Sequence, residues 1–241
     1  MLLTLEHVAV GYGGGDILKG LHLAVEKGSI TCVVGPNGAG KSTVLRTISG
    51  LLKPHLGTVT YEGRSIGGLT PRQILALGIV QVPQEHSLFP RMTVRENVRL
   101  GGYLLQDAAL LKRRLQTVEE QFPLVKECAG ASAGSLSGGQ QRIVEFARSL
   151  MLDPSIILLD EPSMGLDPKT RKQVFDTMKV MQAMGKTILL VEQNVRAGFA
   201  VATHGIVMEG GKVRLEGSPP ELLANPEISH LYLGGTLSSA S

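Results

Sequence analysis

The stretch ITCVVGPNGAGKST, residues 30–43, decides the fold. Its first half is a short, continuously apolar run, too brief for an amphipathic helix and suited to a strand buried on both faces. Its second half fits G-x-x-x-x-G-K-[ST], with a strand before it and a helical pattern behind it, the context that this phosphate-binding loop requires. Gly35, Pro36, Asn37, Gly38, Ala39 and Gly40 form the loop, and Lys41, Ser42 and Thr43 open the helix. Gly38 and Gly40 permit tight backbone conformations that aim successive N–H groups at phosphate oxygens, and the helix N-terminus favours an anion. Lys41 is placed to neutralise the β and γ phosphates of a nucleotide, and the Ser42 hydroxyl to ligate Mg²⁺.

Outward from this loop the same short apolar runs recur at 79–83 (IVQVP), 156–160 (IILLD) and 187–191 (TILLV), with helical patterns at 41–50, 168–184 and 194–202. Strands alternating with helices predict an α/β core around a parallel sheet. Near the N-terminus LTLEHVAV (3–10) and the alternating Leu21, Leu23 and Val25 flank GYGGGD (11–16), which reads as antiparallel sheet. Between residues 93 and 152 only helical patterns occur, so a helical lobe is expected there, inserted between core segments 1–92 and 153–241. No fixed-period repeat is present, and the closing TLSSAS reads as a frayed end.

Composition excludes several classes. A chain of 241 residues with 43% hydrophobic and 19% charged residues can bury a sizeable core. A net charge of +3 is too slight for a dedicated nucleic-acid binder. Arg91, Arg95, Arg99 and the run Lys112–Arg114 are interleaved with Glu96, Glu119 and Glu120, as on a solvated face or a protein contact. The two cysteines, Cys32 in an apolar run and Cys128 beside a small-residue stretch, have no metal or disulfide spacing and are expected to be core and incidental residues of a reducing compartment. The start has no basic leader, and no apolar run approaches the roughly 18 residues of a spanning helix. Membrane contact is therefore expected only through a partner.

Two further stretches carry chemistry. IILLDEP (156–162) ends an apolar strand in consecutive acids, and strand alternation lets them take separate roles: Asp160 to hold Mg²⁺, Glu161 to polarise the attacking water. Alone, such a pair is an ordinary helix start; the phosphate loop upstream gives it a function. SLSGGQQR (135–142) removes side chains where a helix begins, leaving N–H groups and the Ser137 hydroxyl for a second anion, although by itself it is also an N-cap with glycines.

Taken in order, GPNGAGKST (35–43), LSGGQ (136–140) and IILLDEP (156–162) resemble the nucleotide-binding subunit of ATP-binding cassette (ABC) transporters, over nearly the whole chain. The resemblance implies an ABC ATPase fold, ATP and Mg²⁺ as cofactors, and a peripheral location on the cytoplasmic face of the inner or plasma membrane, beside transmembrane permease subunits. It implies that Tyr12 stacks on adenine, that Gln84 in QVPQE contacts Mg²⁺ or the attacking water, and that Asp167 in SMGLD touches the opposite subunit. In such proteins two ATPase subunits pack head to tail, as a homodimer or with a sister ATPase. Ser137, Gly138, Gly139 and Gln140 of one then cover the ATP held by the other.

ILLVEQNVRAGF (188–199), HSLFPRMTVRENVRLGGYL (86–104), ELLANPEI (221–228) and LYLGG (231–235) are similar to the short ATPases of branched-chain amino-acid importers, which a substrate-binding protein serves indirectly. ATPases for urea, amides or aromatic acids and a lipopolysaccharide exporter are related alternatives. A soluble ABC ATPase working on DNA or ribosomes is less compatible with one uninterrupted cassette. Gln193 stands where most of the superfamily has histidine; its amide can donate to the γ phosphate but carries no titrating charge. Glu161 rather than the neighbouring Glu192 is expected to be the base, because it immediately follows the Mg²⁺ aspartate.

Overall fold

The computed structural model describes residues 1–228; LYLGG and TLSSAS lie outside the described residues. The antiparallel strands β1 (Leu3–Gly11) and β2 (Asp16–Val25) lead into β3 (Ile30–Val34), the glycine loop and α1 (Lys41–Ile48). Strands β4 (Leu56–Tyr61) and β5 (Arg64–Ser65) complete a four-stranded sheet of order β2-β1-β4-β5. Helix α2 (Pro71–Ala76) then leads to β6 (Ile79–Val82). The next strand, β7 (Ile156–Asp160), is separated from it by helices alone: α3 (Val94–Leu100), α4 (Ala108–Gln121), α5 (Pro123–Glu127) and α6 (Gly138–Ser149), with two short 3-10 turns. The chain continues through α7 (Pro168–Ala183), β8 (Thr187–Glu192), α8 (Val195–Phe199), β9 (His204–Glu209), β10 (Lys212–Gly217) and α9 (Pro219–Ala224).

The second sheet has the order β10-β9-β3-β8-β7-β6, with every pairing parallel except the β9/β10 hairpin. All residues of β3, β7 and β8 are buried, as expected of strands covered on both faces. Alternation divides them between two cores. Cys32, Leu159 and Leu190 pack with Val144, Phe146 and Met178 on the side of α6 and α7, while Val33, Leu158 and Leu189 pack with Leu45, Ile48 and the antiparallel strands.

Local chemistry sets the helix starts. Thr70, Thr93, Ser137 and Ser218 each close a capping box with the Gln or Glu three residues on, satisfying N–H groups that the helix leaves unpaired. Asn97, fully buried on α3, accepts from Phe89 N (2.7 Å) and donates to Phe89 O and Thr93 O (3.0 Å each), pinning the preceding loop to the helix.

Two differences from the sequence reading stand out. The helical pattern expected over 194–202 shortens to Val195–Phe199. The hairpins β4/β5 and β9/β10 are additional to that reading: Glu62-Gly63 and Gly210-Gly211 connect them with positive φ at both central residues, a turn that Gly-Gly favours and that Glu62 does not announce. The acidic and basic residues of the helical region do interleave, since Arg95 pairs with Glu119 at 2.9 Å and Arg114 with Asp153 at 2.9 Å. Cys32 is buried and Cys128 half-buried, both as free thiols.

Candidate active site

The carboxyl ends of β3, β7 and β8 deliver the reacting groups to one place. Gly40 caps α1 at φ 96°, and a Cβ there would sit 2.8 Å from Leu18 Cδ2, so both conformation and space call for glycine. Lys41, 5% exposed, donates from Nζ to the carbonyls of Gly35 (2.9 Å) and Pro36 (3.1 Å), and lies 3.8 Å from Glu161 Oε1. Its ammonium is thus held at the centre of the loop with a carboxylate facing it.

Ser42 Oγ donates to Asp160 Oδ1 at 3.0 Å, joining the start of α1 to the end of β7. Burial raises the Asp160 carboxyl above its ordinary range, against the opposing pull of the Ser42 hydroxyl and then of Arg46, Lys41 and Arg142. Glu161 follows with φ 44°, a left-handed conformation that costs a non-glycine residue free energy, and its N–H donates to Val191 O at 2.9 Å. Its Oε2 accepts from Gln84 Nε2 at 3.3 Å, and the same amide donates to Met164 Sδ. Lys41, Ser42, Thr43, Gln84, Glu161 and Gln193 line one cavity of about 450 Å³, together with the loop residues Asn37, Gly38 and Gly40.

Glu192 is set differently. It is buried, its Oε1 accepts from Ser163 N at 3.2 Å, and burial pushes its carboxyl up toward the neutral form. A carboxylate already spent on a backbone donor is a poor base.

Other expected residues lie outside this cavity. Tyr12 is 53% exposed, and its hydroxyl accepts from Arg46 Nη1 at 3.0 Å. Ser137, Gly138, Gly139 and Gln140 form the first turn of α6; Ser137 Oγ accepts from Gln140 N, and Gln140 Oε1 accepts from Ser137 N. The expected role of both glycines, sparing room for an anion, divides in two. A Cβ on Gly139 would meet Thr170 Cγ2 at 2.0 Å, so that glycine is already required where α6 packs on α7, whereas a Cβ on Gly138 would make only ordinary contacts. Asp167 caps α7, accepting from Lys169 N (3.0 Å) and Thr170 N (3.1 Å).

Sequence reasoning missed a buried network that ties the Gln84 loop to the helix behind the LSGGQ stretch. Arg142 donates to Pro83 O (2.9 Å) and Gln84 O (2.6 Å) and forms an ion pair with Glu145 at 2.8 Å, both side chains at most 5% exposed. Glu145 Oε1 accepts from Ser87 N (2.5 Å), and Arg148 donates to Ser87 O (2.8 Å). The i,i+3 and i,i+6 spacing of these charges was visible, but their inward orientation was not.

A sequence profile of the family described as ABC transporter matches residues 18–164, most of the chain. The chain belongs to the ABC transporter family. The cassette is similar to the high-affinity branched-chain amino acid transport ATP-binding protein BraG of Pseudomonas aeruginosa, 36% identical over 97% of this chain and 100% of that protein. It is similar also to a probable branched-chain amino acid transport ATP-binding protein, LivF, of Archaeoglobus fulgidus, 35% identical over 97% of this chain and 99% of that one. Among solved structures it resembles an ABC transporter cassette in its ADP conformation, with a TM-score of 0.86, 29% identity and coverage of 97% and 99%. A dimeric cassette in a post-hydrolysis state bound to ADP and Pi gives a TM-score of 0.77, 28% identity and coverage of 90% and 98%. The cassette is an ATP-binding subunit and an ATP hydrolase of the ABC type. Among the described residues no helix is long and apolar enough to cross a membrane.

Proposed function

We propose that this cassette powers import of branched-chain amino acids, hydrolysing ATP on the cytoplasmic face of a membrane beside permease subunits. The observation that carries the catalytic part is the single cavity holding Lys41, Ser42, Gln84, Glu161 and Gln193. ATP lies with its phosphates over the Gly35–Gly40 loop, and Lys41 moves from the loop carbonyls to the β and γ oxygens. Glu161 orients and deprotonates the attacking water, Gln84 fixes the Glu161 carboxylate, and Gln193 donates its amide to the γ phosphate.

Mg²⁺ suits this site. Its donors are hard oxygens, the Ser42 hydroxyl and the Asp160 carboxylate with the Gln84 amide nearby, and a cation would favour the anionic Asp160 that burial disfavours. When bound, the ion neutralises charge on the phosphates. Tyr12 is the adenine platform. Ser137 and Gly139 of a second ATPase subunit, identical or a sister, cover the γ phosphate, with Asp167 at the interface. This agrees with an LSGGQ turn that lines no part of its own nucleotide cavity.

The permease partner fits an apolar groove of about 550 Å³ between α2, β6, α3 and α6, where Leu51, Phe89 and Tyr103 are each more than half exposed. It borders Glu145 and Arg148, whose bonds lead to the Gln84 loop, so a segment seated there reaches the hydrolytic site through fixed side chains.

Deleting the gene should abolish high-affinity uptake of labelled leucine, isoleucine and valine, restored by the intact chain and not by its Glu161→Gln variant. Unchanged uptake would exclude these solutes, while phosphate release by the purified chain tests hydrolysis separately. Gln193→Ala should lower turnover roughly tenfold or more while changing ATP affinity by less than about threefold, since a donor aimed at the transferring phosphoryl group acts chiefly in the transition state. Equal turnover would leave Gln193 without a part in the chemistry.

A further inference from the structure

Behind the nucleotide cavity lies a second one, of about 520 Å³, and the two share Glu161, Met164 and Gln193 as a common wall. Arg171 from α7 and Arg196 from α8 also line it. Neither arginine has a carboxylate partner among the described residues. Arg171 Nε is enclosed and has no hydrogen-bond partner, while its Nη2 donates to Leu166 O at 3.2 Å. A buried guanidinium N–H left without an acceptor costs free energy unless something visits it.

The carboxylates bordering this space do not cancel the arginines. Glu192 is turned to Ser163, whose N–H its Oε1 accepts at 3.2 Å. Glu161 stands in the shared wall, where the Lys41 ammonium 3.8 Å away offsets its charge. Two arginines without carboxylate partners among the described residues, lining one polar cavity, are suited to a tetrahedral oxyanion.

We infer that the second cavity is a product site for inorganic phosphate. Phosphate cut from ATP crosses the wall between Glu161 and Gln193 and is taken up by Arg171 and Arg196, while ADP still occupies the loop and blocks the way back through the first cavity. The inference rests on the hydrolytic reading of Glu161 and adds the route by which the product leaves. No bond changes in this step; the anion exchanges the loop and Lys41 for two guanidinium groups.

The test compares the full-length chain with Arg196→Glu and Arg171→Gln in single turnovers of ATP with Mg²⁺. Acid quench reports cleavage, a fluorescent phosphate-binding protein reports free phosphate, and inhibition by added inorganic phosphate is measured with ADP present. In the parent chain free phosphate should follow cleavage. In each variant cleavage should stay within about twofold, phosphate should lag it roughly tenfold, and inhibition by added phosphate should weaken roughly tenfold, the effect of losing one charge-assisted contact.

Arg196 is exposed on a short surface helix, so its variant keeps the test meaningful if Arg171→Gln folds poorly. Inhibition by phosphate that is unchanged in Arg196→Glu, or cleavage that falls along with release, would overturn the product site while leaving hydrolysis intact. Absence of cleavage in the parent chain would overturn the hydrolytic reading and this inference together.

Discussion

Replacing Glu161 by Gln should lower ATP turnover about 10²- to 10⁴-fold while leaving ATP affinity equal or tighter. The amide matches the carboxylate in shape, can still accept from Gln84 Nε2, and retains the φ 44° backbone, since Gln tolerates the left-handed region no better than Glu. What changes is basicity and charge. The side chain can no longer take a proton, and the charged contact with Lys41 at 3.8 Å becomes neutral, releasing the ammonium for phosphate. Phosphate release and equilibrium nucleotide binding measure the two halves, and light scattering with ATP should show a stable dimer. Glu161→Gly supplies the control. It also removes the base but relieves a conformational cost of order 1 kcal/mol, so inactivity without loss of melting temperature separates lost chemistry from lost fold. Undiminished turnover in the Gln variant would reject Glu161 as the base.

Arg142→Met should destabilise the cassette by about 3–5 kcal/mol, a large loss for a single substitution. The guanidinium is itself disfavoured by burial, which lowers its pKa, and is held charged first by Glu145 and then by Asp160 and Glu192. Removing it strands Glu145, whose side chain is fully enclosed, and frees the carbonyls of Pro83 and Gln84. For a chain of this size the loss corresponds to a melting temperature lower by roughly 10 °C. The double variant Arg142→Met with Glu145→Leu should recover part of it, because no isolated charge remains, though Ser87 N loses its acceptor. A single variant as stable as the parent chain would mean that solvent reaches Glu145 and that the network does not fasten the Gln84 loop.

What could be read from the chain was what depends on local order. The run from Ile30 to Thr43 specifies strand, loop and helix in sequence, and the apolar runs ending at Asp160 and Glu192 must lie in a sheet buried on both faces, so the reacting groups fall at its carboxyl edge. The family motifs named Lys41, Ser42, Gln84, Glu161 and Gln193, which the fold brings to one cavity. Three things were not legible. Arg142 and Glu145 look like surface charges until α6 is seen packed against β6 and α7, because helical spacing gives a face without saying what covers it. Gly139 looked like room for an anion and is also room for Thr170, a contact about 30 residues away that no local rule encodes. That Arg171 has no carboxylate partner among the described residues is a property of its assembled neighbours.

The Arg142 network has a thermodynamic corollary. The apolar groove that includes Arg148 and the helix that opens with Ser137 are joined to one loop, Arg148 donating to the carbonyl of Ser87 and Arg142 to those of Pro83 and Gln84, so neither can be repositioned without the other. Coupling of this kind runs with equal strength both ways. Whatever factor a docked permease segment contributes to closure of two cassettes over ATP, ATP must contribute to retention of that segment. Exchanging ATP for ADP should therefore weaken permease docking by the same ratio that losing the permease weakens nucleotide-driven dimerisation.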